Sequence, residues 1–77
     1  MTIEILTPDE SLFQGEATHV SLPGSDGRLG ILDNHAPLIT TLQAGDVVLR
    51  TATGNQSFAV SGGTVEVAGN KVTILAS

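Results

Sequence analysis

The chain has 77 residues, with eight Asp and Glu against Arg28, Arg50 and Lys71, a net charge of −5, and no Cys, Trp or Tyr. That length makes a single domain over residues 1–77 in which only about 60% of the unfolded surface can be buried, so its stability margin is small. The acidity opposes binding to nucleic-acid phosphates or anionic lipid. The lack of thiols excludes disulfides and thiolate metal or redox chemistry. No apolar run approaches the roughly 20 residues of a bilayer-crossing helix, and no signal peptide opens the chain. The expectation is a soluble, cytoplasmic domain that reaches a membrane only through another protein.

Ile3 and Ile5 flank Glu4, the first instance of a period-two alternation that runs through the chain. Thr18, Val20 and Leu22 share a face opposite His19, giving a second strand. From Leu22 to Leu38 the chain is rich in loop formers, with Gly24, Gly27 and Gly30 at every third position and Leu29, Ile31 and Leu32 as apolar anchors. This stretch reads as a shaped loop in which positive φ is available at close intervals. Pro37 biases Ala36 toward an extended conformation, and Leu38–Leu42 follows as a short strand.

Gly54-Asn55 separates Val47–Thr51 from Ser57–Val60, and Gly69-Asn70 separates Val65–Val67 from Val72–Leu75. Both dipeptides suit tight hairpins. Ser61-Gly62-Gly63, just before a strand, reads as a bulge or sharp corner more readily than as a surface for close approach by another chain. No window repeats apolar residues at i, i+3, i+4 and i+7 over a helical length. The class is therefore all-β, with seven or eight short strands. A two-sheet antiparallel sandwich or flattened barrel fits better than an open sheet, which would leave one apolar face in water. Phe13 and Phe58 are the only aromatics for a core of Val, Ile, Leu and Ala.

Candidate chemistry is sparse. Gly24 to Gly30 lacks the following Lys-Ser or Lys-Thr and the helix of a phosphate-binding loop, and Asp26 and Asp33 would repel phosphate, so no nucleotide is expected. His19, His35 and Asp33 show no metal-ligand spacing and compose no hydrolytic triad. His19 reads as an exposed strand residue. His35 reads as a turn residue whose ring nitrogen satisfies a loop carbonyl, or as a partner contact. No catalytic residue, metal or cofactor is expected. One alternative is a lipoyl- or biotinyl-type carrier domain modified at Lys71, the only lysine, which adjoins the Gly69-Asn70 turn. Against it, Lys71 begins the last strand, whereas a swinging-arm lysine occupies a turn apex.

Several separated stretches resemble one family. Thr7-Pro8 with Leu12-Phe13-Gln14-Gly15, then Leu22-Pro23-Gly24, Gly30-Ile31-Leu32 and His35-Ala36-Pro37-Leu38, look like its opening and central motifs. Ser61-Gly62-Gly63 with Val65-Glu66-Val67 and Asn70–Ala76 look like its closing strands. On these residues the chain resembles the N-terminal β-sandwich domain of the epsilon subunit of F-type ATP synthases, from about Ile3 to Ala76.

The resemblance implies a sandwich of about ten short strands and a non-catalytic central-stalk, or rotor, subunit. Its partners would be the gamma subunit and the membrane-embedded ring, and its location the cytoplasmic face of an energy-coupling membrane, as a peripheral component. It also implies a partner interface at Asp26, Gly27, Arg28, Leu29, Gly30, Asp33, Asn34, His35 and Thr40, with a sheet face meeting gamma and the loop from Asp26 to His35 approaching the ring. A two-helix C-terminal domain usually follows in that family and is not among these residues. The family commonly carries Glu where Arg28 stands, a charge reversal at a presumed contact. It also carries Pro-Gly where Asp33-Asn34 stands; Asn tolerates the left-handed conformation, so that turn is expected to persist.

Overall fold

Alternation of apolar and polar residues, interrupted by Gly, Asn and Pro, gives nine strands and no helix in the computed structural model, which describes residues 1–77. They are β1 (Thr2–Leu6), β2 (Ser11–Glu16), β3 (His19–Gly24), β4 (Gly27–Leu32), β5 (Leu38–Leu42), β6 (Gly45–Thr51), β7 (Gly54–Val60), β8 (Gly63–Ala68) and β9 (Lys71–Ala76). The hydrogen-bonded path runs β2-β1-β9-β8-β5-β3-β6-β7, with β4 on the other side of β3. A single residue pair, Gly24 with Leu42, joins β3 to β5. The path therefore folds there into two leaves, β2-β1-β9-β8-β5 and β4-β3-β6-β7, the sandwich that the alternation requires.

Both leaves turn their alternate residues inward. Ile3, Ile5, Val65, Val67, Val72 and Ile74 from one meet Val20, Leu22, Ile31, Val47 and Leu49 from the other, all at most 2% exposed. Burial of each such side chain stabilises the fold by about 1.5–3 kcal/mol. Phe13 on β2 and Phe58 on β7 lie edge to face with centroids 5.8 Å apart, closing the sandwich between the two leaf edges.

The stretch expected as a shaped loop is instead a hairpin for most of its length. β3 and β4 pair in continuous register from His19↔Leu32 to Gly24↔Gly27, leaving Ser25-Asp26 as a two-residue turn. Only Gly27 of the three evenly spaced glycines takes positive φ, at 131°. Gly24 and Gly30 are simply strand residues, so glycine spacing alone did not report the backbone there.

The Gly69-Asn70 hairpin forms as expected, both residues having φ of 58° and sitting between paired Ala68 and Lys71. These are the positive φ values of a type I′ turn. The β6–β7 hairpin also forms, but its turn is Ala52-Thr53, with Gly54 already paired to Thr51. One pairing differs in sense: β1 runs parallel to β9, from Thr2↔Lys71 to Leu6↔Leu75. Nine strands, rather than about ten, complete the molecule.

Ser61 and Gly62 make the corner that carries the chain from β7 in one leaf to β8 in the other. A Cβ on Gly63, whose φ is 127°, would fall 2.0 Å from the carbonyl oxygen of Leu75. The corner thus needs glycine because β9 passes against its backbone.

Candidate interaction surfaces

The residues expected at a partner interface divide between two ends of the molecule. Asp26 and Gly27 stand at the tip of the β3–β4 hairpin, beside the end of β5, where Ser25 N–H donates to the Thr41 carbonyl at 3.0 Å. Asp33, Asn34 and His35 follow the other end of β4, beside the β8–β9 turn. Five residue steps of extended strand, about 17 Å, separate Gly27 from Leu32. Asp26 and His35 therefore do not share one loop surface.

Most of these residues have internal partners. Asp33 Oδ1 accepts from the α-ammonium group of Met1 at 2.7 Å. Asn34, with φ of 62°, donates its N–H to Asn70 Oδ1 at 2.8 Å, so the left-handed turn expected here is present and tied to the neighbouring hairpin. His35 Nδ1 lies 2.7 Å from the Ala36 carbonyl oxygen. A carbonyl can only accept, so Nδ1 carries the proton in this contact. Leu29 packs against the core, and Gly30 faces the His19 ring, whose Nε2 would lie 3.4 Å from an added Cβ.

Thr40 lines a shallow cleft of about 260 Å³ beneath the hairpin, together with Asp26, Gly27, Arg28, Leu29 and Leu38. The Arg28 side chain lies across its own leaf: Nε donates to Ser21 Oγ at 3.0 Å and Nη2 to the Asp46 carbonyl at 2.7 Å. Lys71 is the first residue of β9, just past the apex of the Gly69-Asn70 turn, and so lacks the apical position of a carrier lysine.

A surface that the motif reading passed over lies on the outward side of β1, β9, β8 and β5. Ile39 is 74% exposed and Leu75 52%. Across the strands, Ile39 pairs with Glu66, Glu66 with Thr73, and Thr73 with Glu4; beside that row run Thr41, Thr64, Leu75 and Leu6. A shallow cleft of about 210 Å³ opens between Ile39, Glu66, Thr73 and Leu75. Glu4 and Glu66 stand two strands apart, about 10 Å, and neither forms an ion pair, since the only salt bridges are those of the Met1 ammonium.

The signal for this surface was in the sequence. Ile5-Leu6 in β1, Leu38-Ile39 in β5 and Ile74-Leu75 in β9 are adjacent apolar residues in strands. With a period of two, one member of each pair must face outward.

The fold and its surfaces define a small β-sandwich domain, with Ile39, Glu66 and Leu75 on one exposed sheet face and polar hairpin ends. Comparison with known proteins places it further. The family model described as "ATP synthase, Delta/Epsilon chain, beta-sandwich domain" matches residues 1–77, and the chain belongs to that family. Among curated relatives, it is 44% identical over 77 residues to the chloroplastic ATP synthase epsilon chain of Tetradesmus obliquus, covering 100% of this chain and 57% of that protein. It is 50% identical over 74 residues to the ATP synthase epsilon chain of Xylella fastidiosa, covering 95% and 53%.

The chain thus spans little more than half the length of these relatives. Among solved structures, a chain of the Euglena gracilis mitochondrial ATP synthase, in an OSCP/F1/c-ring assembly, superposes with a TM-score of 0.88 at 21% identity, covering 96% of this chain and 48% of that one. A chain of the Tetrahymena thermophila mitochondrial ATP synthase central stalk and c-ring gives 0.81 at 17%, covering 97% and 61%. These two likenesses establish a shared fold.

Proposed function

We propose that this domain serves as the non-catalytic epsilon-type component of an F-type ATP synthase rotor, joining gamma to the membrane-embedded ring so that ring rotation reaches the catalytic head. Its place would be peripheral, on the cytoplasmic face of the energy-coupling membrane. The work is rigid binding: two interfaces on one stiff body, with no chemical step.

The observation that carries this reading is the outward face of β1, β9, β8 and β5. Ile39 and Leu75 stand exposed among threonines, with the unpaired carboxylate of Glu66 on the strand between them and that of Glu4 one strand beyond Leu75. Exposed aliphatic side chains interleaved with unpaired carboxylates fit a protein partner with apolar contacts and a Lys or Arg among them. This face is assigned to gamma. The tip at Ser25-Asp26, polar and exposed, is assigned to the ring, with Thr40 and Arg28 behind it. The Asp33–His35 turn, at the opposite end, stands clear of the ring in this reading.

Family membership supports the assembly, and the named complexes of the structural neighbours agree with it. Separate titrations of the chain with a gamma-containing head and with purified ring test the reading. Saturable binding to both is expected, and binding to neither would refute it.

A further inference from the structure

β3 runs beside β6 in the register His19↔Arg50, Val20↔Leu49 and Ser21↔Val48. Extended by two residues, that register sets Pro23 opposite Asp46. The strands do remain close there: a Cβ on Gly45 would lie 2.9 Å from Pro23 Cβ. The Pro23 carbonyl faces the same side, since it accepts from Gln43 N–H at 2.9 Å. Proline has no N–H, so the ladder donor that Asp46 would receive at this point does not exist. Arg28 Nη2 donates to the Asp46 carbonyl instead, at 2.7 Å, while its Nε holds Ser21 Oγ.

We propose that Arg28 is a positioning residue, an internal clasp that supplies the backbone donor Pro23 cannot and so fixes the β3–β4 hairpin tip against β6, rather than a charge presented to a partner. The clasp links three strands through two donors in a fixed planar fork. A lysine carries the same charge but has no such fork, so it cannot reach both acceptors in this arrangement. The functional consequence rests on the reading that the tip meets the ring: a tip held in one orientation loses less freedom on binding.

Hydrogen exchange of the isolated chain tests the clasp without any partner. The reporters are the amides of Ser25 and Gln43, which bond the Thr41 and Pro23 carbonyls around the tip. Arg28→Lys and Arg28→Met are both expected to speed their exchange roughly three- to tenfold, the effect of one lost hydrogen bond. Pro23→Ala, which restores a backbone donor opposite Asp46, is expected to return the Arg28→Met variant most of the way to the parent rate. Exchange at parental rates in Arg28→Lys would overturn the proposal, because charge alone would then suffice. So would acceleration that Pro23→Ala leaves untouched. Ring affinity, measured on the same variants, separates the two claims: faster exchange with unchanged ring affinity sustains the clasp and removes the tip from the ring interface.

Discussion

Replacing Ile39 by Thr tests the assignment of the exposed sheet face with little risk to the fold. Thr keeps the β-branch that suits a strand, and Ile39 points away from the core with 74% of its surface exposed. Unfolding stability is therefore expected to change by no more than about 0.5 kcal/mol, a Tm shift under about 4 °C for a domain of this size. Binding is another matter. Complete burial of an Ile side chain is worth about 1.5–3 kcal/mol, and roughly three-quarters of that remains to be gained when a partner covers it. Most of this gain is lost in Thr, so affinity for a gamma-containing head should fall by about 1–2 kcal/mol, or roughly 5- to 30-fold. Calorimetric titration of parent and variant, with a thermal melt as control, gives the answer. Unchanged gamma affinity with an intact melt would refute the assignment.

Glu66→Gln removes the carboxylate beside Ile39 and should weaken gamma binding by about 0.2–1 kcal/mol at low salt, with the difference fading at high salt; an equal loss at both salts would mean that charge is not the cause. Gly63→Ala places a Cβ against the Leu75 carbonyl at a φ of 127°, whereas Gly27→Ala, at 131°, meets nothing within 4 Å. Urea unfolding should therefore show a loss of about 2–5 kcal/mol for the former and about 1–2 for the latter; similar losses would remove the steric term. Asn70→Gly keeps the turn's positive φ but loses the acceptor for Asn34 N–H, and Asn70→Ala loses both. The expected costs are about 1 and about 2 kcal/mol, read from the same unfolding curves.

The inward residues of both leaves were legible because Ile3, Ile5, Val65, Val67, Val72 and Ile74 alternate with polar neighbours, and alternation has one structural meaning. Gly69-Asn70 was legible because few dipeptides suit two successive positive φ values. β4 was not, since Gly27 and Gly30 resemble loop punctuation and only the pairing with β3 makes that stretch a strand. The parallel contact of β1 with β9 joins the two ends of the chain, and no local pattern reports a pairing at that separation.

The motifs around His35 and Gly24 conveyed family, yet they drew attention to residues occupied internally. Asp33, Asn34, His35 and Arg28 each bond within the chain. Ile39 and Leu75 were hidden because each looks like a core residue until the phase of its strand is known. Arg28 shows the same limit in charge: the sequence gives a cation in a glycine-rich stretch, and only the fold shows its side chain spanning three strands.

The most direct measurement of the central claim is co-sedimentation of gamma-containing head with purified ring, with and without this chain, in detergent at fixed ionic strength. If one body joins the two partners, the chain should raise the amount of head sedimenting with the ring in a saturable way, and excess chain should then lower it as each partner is occupied separately. A chain that binds head and ring singly but never increases their association would contradict the account.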